Sequence, residues 1–519
     1  MRSIADSGAI RLARINVVVG RNSAGKSTLV RVLPLLRQSV ERPTKGPLLW
    51  YGRFVDFGNY QNAVNSRNKA AGVQFEFKMN LQGVGRTSSD ADSSFIIASL
   101  DAARFYKGLG GVTASLTVGS SDSDDVGKAR NVRLDLGADQ VEMNIGGDLV
   151  KSISINGEPV ELSVRRRWMV QSGKILPIPV LVKEEQFEEE GSQRTYYTHE
   201  IRPFSERLVE AVAPLFHGNT NKEKVTEFAA SLLYANHSAF YDQLKSHSAS
   251  SPTYAYNVGL YDSTSPYIEK IRRSVLLASI TSIFHRVDRE LVDFASSVKY
   301  VEPIRATAER YYRLQDLAVD EIDSRGENAA MFLNSLSPYE VNSLKSWMIK
   351  HLGFYAEVDQ GSGHVQVKIG TPGGESKNIS DLGFGYSQLL PIILQLWRSL
   401  VARPFSVRRS DSRPVIAIEQ PELHLHPQFQ AQIADVLVAV QADKSQGDSS
   451  IFIETHSEHI VNRLGQLVAA KRIKKNDVQV LVVETSETGV SEVRAVAFDE
   501  YGFLDSNWPS GFFVPEAIR

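Results

Sequence analysis

No cysteine occurs in the 519 residues, which excludes disulfides, thiolate zinc sites and a cysteine nucleophile, and fits a cytosolic chain. A long apolar run is also lacking. Spanning a bilayer takes roughly 20 apolar residues, and the best candidate, Ser387 to Ala402, is interrupted by Pro391, Gln395 and Arg398. The first apolar stretch, Ile15 to Val19, is too short for a secretory core, so the expectation is a cytoplasmic protein without membrane contact. Charge of one sign is missing as well. Lys and Arg number 58 and Asp and Glu 60, a net −2, so no global basic surface points to nucleic acid. No heptad repeat persists for three or four heptads, which argues against a long coiled-coil arm, and no internal repeat is visible.

What is present reads as an α/β protein of two or three domains. Residues 15–19 form a strand, 20–25 a Gly-rich loop and 27–39 an amphipathic helix that Pro34 kinks. Residues 71–200 are β-rich, with alternating runs at Gln74–Lys78, Val132–Leu136 and Val160–Val164 and an exposed loop at 119–125. Residues 201–365 turn helical, most clearly over 201–216 and 268–294. From 366 to 519 strand–loop–helix units return, with buried parallel strands expected at 415–418, 450–453 and 478–483. The α/β core is therefore expected from the two ends, 1–70 and 366–519, with a mixed β and helical insertion between them.

Gly20-Arg21-Asn22-Ser23-Ala24-Gly25-Lys26-Ser27 fits G-x-x-x-x-G-K-[ST] without a mismatch, between a strand and a helix. The glycines allow backbone N–H groups to form an anion nest. Lys26 then reaches the β- and γ-phosphates and Ser27 ligates magnesium, while Asn22 and Thr28 complete the cradle. The distal half is Val415-Ile416-Ala417-Ile418-Glu419-Gln420-Pro421-Glu422, an apolar strand ending in an acid. Glu419 orients magnesium. Gln420 cannot accept a proton at neutral pH and can only position water, which leaves Glu422 as the nearest base.

His456, after the strand 451–453, can reach a γ-phosphate; a purely structural histidine is the alternative. His424 and His426 lack a third metal ligand and read as packing residues of a loop. Asp381 to Gln388, carrying Gly383, Gly385, Ser387 and Gln388, precedes an apolar helix and offers a second anion-binding terminus, suited to a partner subunit's γ-phosphate; simple capping by Ser387 is the alternative.

In this order the segments resemble the ABC-type heads of the SMC-like and RecF-like ATPases, with Asp381 lying 355 residues after Lys26, a spacing that indicates an insertion. The runs 46–52 and 55–58, Glu419 to Pro427, Tyr300 to Arg305, and the tail Phe498 to Phe513 are similar to bacterial AAA/OLD-like ATPases. That group resembles PtuA of Septu anti-phage systems and retron-associated ATPase effectors. The resemblance implies ATP and Mg2+ as cofactors, an ATP-dependent dimer or higher oligomer, and a separately encoded HNH-type nuclease partner. A reverse transcriptase with its small DNA is a further implied partner. It also implies a few more strand residues before Met1.

Two departures bear on chemistry. Gln420 stands where the usual glutamate would, which points to slow hydrolysis or to a scaffold that binds ATP without turnover. Gly383-Phe384-Gly385 replaces Ser-Gly-Gly. No acid cluster of Toprim type follows the last strand, so no intrinsic nuclease site is expected. The competing reading is a DNA-repair or chromosome-handling ATPase acting directly on DNA, supported by the basic runs 471–475 and 165–167.

Overall fold

The computed structural model describes residues 1–65, 72–81, 111–119, 127–162, 167–171, 173–189, 192–200, 203–247, 251–315, 319–361, 363–402, 413–442, 449–486, 489–505 and 508. The expected loop 119–125, the arginines at 165 and 166 and the tail from 509 onward lie largely or wholly outside them. The chain divides into two units. One comprises Met1–Gln38, Trp50–Gly58 and Asp293–Arg519, the other Ser39–Leu49 and Asn59–Val292. The division at 292/293 falls inside the segment expected to be a helical insertion.

The first unit is built on a seven-stranded sheet in the order Ile4–Asp6, Ser491–Val496, Val478–Thr485, Ile15–Gly20, Ser450–Glu454, Val415–Glu419, Val298–Val301. The last five run parallel, and only Ser491–Val496 against Val478–Thr485 is antiparallel. Their apolar runs are β-branched and almost completely buried, as a parallel sheet covered on both faces requires. One strand, Ser450–Glu454, separates the phosphate-loop strand from the acidic strand.

After the loop the expected single helix is two, Lys26–Val30 and Val32–Glu41. Pro34 has no N–H for the Val30 carbonyl, so the ladder fails one turn before the proline and Arg31 stands at the break. A smaller antiparallel sheet of Tyr312–Arg313, His364–Gly370, Tyr355–Gly361 and Lys377–Asn378 joins the same core with the helix Pro338–Leu352. Ser337 starts that helix in a capping box with Glu340.

The second unit is a nine-stranded sheet from Val73–Asn80 to Ser192–Glu200, its paired strands antiparallel, followed by helices from Ser205–Val212 to Ile280–Ser297. Within it the buried Arg272 on the helix Pro266–Ala278 grips Asp139, at the turn before Gln140–Gly146, and Glu269. On Ile280–Ser297, burial and then the cations Lys174 and Arg289 push the His285 imidazole down to about 4.

Further expectations change here, and the segment 201–365, read as helical, also carries the strands Val298–Val301, Tyr312–Arg313 and Tyr355–Gly361. The helix expected at 268–294 is two, Pro266–Ala278 and Ile280–Ser297, parted at Ser279. The alternation at Val160–Val164 yields no strand over 160–162; the short strand before it ends at Pro159, and beyond it the Val160 N–H donates to the Ile153 carbonyl at 2.8 Å. Among the described residues no helix is long and apolar enough to cross a membrane, and the longest spans 18 residues.

Candidate nucleotide site

The phosphate loop leaves its strand at Gly20, where a Cβ would collide with the Val483 carbonyl of the neighbouring strand. It enters the helix at Gly25, with φ +104, a conformation open to glycine, and a Cβ there would lie 2.6 Å from Ser3 Oγ. Both glycines are thus required by close approach. Ser23 is left-handed at φ +63. Ala24 and Thr28 are buried and Asn22 is exposed at the loop's outer side. Lys26 is 4% exposed and folds back on its own loop, donating to the carbonyls of Gly20 (2.9 Å) and Arg21 (2.8 Å). Burial holds its ammonium below the ordinary value, against the pull of Glu454 and Glu422.

The register places Glu419 opposite Glu454 at the ends of adjacent parallel strands. Both side chains are buried, yet their surroundings differ. Arg31 straddles Glu419 with Nε on Oε1 and Nη2 on Oε2, each at 2.8 Å, and Tyr300 donates its hydroxyl to Oε1 at 2.7 Å. The Glu419 hydrogen bond raises the Arg31 pKa above its ordinary value. Glu454 accepts from Ser27 Oγ at 2.8 Å, and its other oxygen has no partner among the described residues. Burial and then the neighbouring Glu419 charge push the Glu454 carboxyl up to about 7.

Beneath these ends lies Arg305, 3% exposed. Its Nη2 donates to the carbonyls of Glu419 (2.9 Å) and Gln420 (3.2 Å), and its own carbonyl accepts from Gln388 at 3.4 Å. Burial pushes its guanidinium down to about 10. Gln420 takes a left-handed backbone, φ +43, and its N–H donates to the Glu454 carbonyl at 2.8 Å. Glu422 is buried, which raises its carboxyl, and Oε1 accepts the His456 N–H at 2.7 Å. His456 itself is exposed just past the strand end, and partial burial and then the Lys26 charge hold its imidazole below the ordinary value.

The structure thus gathers Lys26, Ser27, Glu419, Gln420, Glu422 and His456 at or just past the carboxyl ends of three neighbouring parallel strands. It buries part of the segment Asp381 to Gln388. Ser387 is buried as the fourth residue of the helix Phe384–Leu396, and its hydroxyl bonds back to Phe384 O at 2.7 Å, so it caps nothing. Gln388 is also buried. What the terminus presents is Gly383 and Phe384, 46% exposed, with Phe384 meeting the His424 ring edge-on at 5.3 Å. Among the described residues no group of acids and histidines, His424 and His426 included, forms a metal cluster. Sequence reasoning passed over Glu454, Arg31, Tyr300 and Arg305. Glu454 had a signal, since it ends an apolar strand as Glu419 does, and Tyr300 and Arg305 bracket a run that resemblance alone had marked.

A phosphate loop wrapped on a mixed sheet, with carboxylates on the next two strands, defines an α/β ATPase head of the ABC type. Residues 15–99 match a family model described as "AAA domain, putative AbiEii toxin, Type IV TA system", and residues 205–461 match one described as "AAA ATPase domain". No curated protein matches the sequence. Among solved structures, the chain is similar to an SMC head domain from Thermotoga maritima at 10% identity, covering 95% of this chain and 94% of that one with a TM-score of 0.31. An Smc head domain from Pyrococcus furiosus, bound to the C-terminal domain of ScpA, aligns at 9% identity over 94% and 91%, TM-score 0.28. The recombination mediator RecF with a nucleotide analogue aligns at 14% identity over 95% of each, TM-score 0.23. Likeness at this level decides nothing further; the class follows from the loop and the strand order.

Proposed function

We propose that the chain binds ATP with magnesium at residues 20–27 and hydrolyses it slowly, and that nucleotide binding draws copies together to control a separately encoded nuclease in anti-phage defence. The observation that carries the catalytic part is the loop itself: Ser27 donates to the buried Glu454 at the end of the neighbouring strand, and the Glu454 and Glu422 charges act on Lys26. Lys26 exchanges the carbonyls of Gly20 and Arg21 for phosphate oxygens. Bound magnesium would neutralise charge on those oxygens, and the donor set suits it, the Ser27 hydroxyl and a Glu454 oxygen that has no partner among the described residues.

Gln420 orients water without accepting its proton, which supports slow turnover. The exposed terminus at Gly383 and Phe384 supports contact with a second copy's nucleotide. ATP shifts that assembly only through its higher affinity for the closed state. The nuclease and defence parts are supported by the Glu419 to Pro427 run and its resemblance to the AAA/OLD-like group.

Hydrolysis by the purified chain tests this, with Lys26→Ala and Glu422→Gln alongside. We expect slow turnover that disappears in Lys26→Ala and a larger mass with ATP; no ATP binding at all overturns the reading. Loss in Glu422→Gln assigns the base there.

Direct action on DNA is the second reading, favoured by the exposed Lys471, Arg472, Lys474 and Lys475. It predicts DNA binding that weakens steeply with salt.

A further inference from the structure

We propose that Glu454, rather than Glu419, supplies the carboxylate that holds the nucleotide's divalent cation together with Ser27. The proposal rests on the nucleotide-binding reading above and assigns the cation to one of its two acids.

Glu419 and Glu454 stand opposite each other in the parallel ladder, 1% and 2% exposed. A buried carboxylate needs compensating charge or donors on its lone pairs. Glu419 has them: two guanidinium N–H groups and the Tyr300 hydroxyl occupy its oxygens at 2.7–2.8 Å. The fork of Arg31 fits both oxygens at once, a geometry that a spherical cation would have to break.

Among the described residues Glu454 has no such guanidinium or tyrosine partner. The Ser27 hydroxyl lies on one oxygen, and the other oxygen is buried with no partner among the described residues. Lys26, the nearest cation of the loop, gives its ammonium to the carbonyls of Gly20 and Arg21. An open carboxylate oxygen beside a serine hydroxyl is a hard oxygen pair of the kind magnesium and manganese take. Arg31 then serves as the fixed counter-charge that keeps Glu419 out of that role. It stands where it does because the helix breaks at residue 31.

Mn2+ binding to the ATP complex, read by electron paramagnetic resonance, tests this on the purified full chain and its Glu454→Gln, Glu454→Asp and Glu419→Gln variants. ATP binding in chelator is measured in parallel. We expect Glu454→Gln to weaken Mn2+ by roughly 10- to 100-fold or more. Glu454→Asp should retain a weaker site, and Glu419→Gln should stay close to the wild-type value. Binding of ATP in chelator shows that each variant keeps a folded loop. Loss of Mn2+ in Glu419→Gln, whether alone or equal to that in Glu454→Gln, overturns the assignment. Absence of ATP binding to the wild type, with or without metal, overturns the nucleotide reading itself.

Discussion

Two acids on neighbouring strand ends meet opposite fates, and the difference lies in which of them a cation reaches. Nothing in an apolar run followed by glutamate reveals this. The sequence offered Glu419 and Glu454 in the same guise, and only the strand order brings Glu454 beside Ser27. The phosphate loop was legible because its chemistry is local, eight consecutive residues in a strand–helix context. Arg31, Tyr300 and Arg305 were not, because each acts on a residue more than a hundred positions away. Gln420 belongs to this scale too. Its backbone is held from both sides, by the Glu454 carbonyl and by Arg305, so a glutamate of the same shape fits without rearrangement. Gln420→Glu is expected to raise the steady-state hydrolysis rate on the order of 10²-fold, the usual worth of a positioned base. An unchanged rate would show that proton transfer does not limit turnover at this position.

Apolar runs of four to six residues located four of the five parallel strands, because both faces of such a strand are buried and the signal is continuous; the fifth, Val298–Val301, is interrupted by Lys299 and lies in the stretch read as helical. Helix ends were harder to read. Pro34 announced a disturbance, but the break falls three residues earlier, where the missing N–H is felt. At Ser279 no glycine or proline marks the junction. His285, on the helix that follows, carries a prediction about acid. Its folded value of about 4 lies below the ordinary 6.5, so between those values the unfolded chain binds more protons than the folded one. The stability it contributes is whole above pH 6.5 and is lost as pH falls toward 4. His285→Gln should flatten that part of the stability–pH curve, measured by urea unfolding at stepped pH. An unaltered slope would assign the acid loss to other groups.

For the whole molecule, six strands of the seven-stranded sheet come from the two chain ends, as expected, and the seventh, Val298–Val301, comes from the segment expected to be the insertion. In that sheet Ile15–Gly20 lies between Ser450–Glu454 and Val478–Thr485. The order of those strands was not legible, since parallel strands carry near-identical apolar patterns and their neighbours are set by crossovers. Closeness across the two ends is sharpest at Gly20, whose Cα faces the Val483 carbonyl. Gly20→Ala is therefore expected to destabilise the head by about 1–3 kcal/mol and to weaken ATP binding, followed by thermal unfolding and by a fluorescent nucleotide. Wild-type values for both would mean that the strands separate there at little cost.

The same arrangement sets a clock during synthesis. A ribosome adds roughly 5–20 residues per second. The strand that leads into the phosphate loop is among the first parts made, yet both of its neighbours emerge tens of seconds later. For that interval its edges have nothing of their own sheet to pair with, and the loop has no wall. Nucleotide capture is thus a late event in the life of a nascent chain, and a ribosome that stalls before the 480s releases a product that cannot hold ATP.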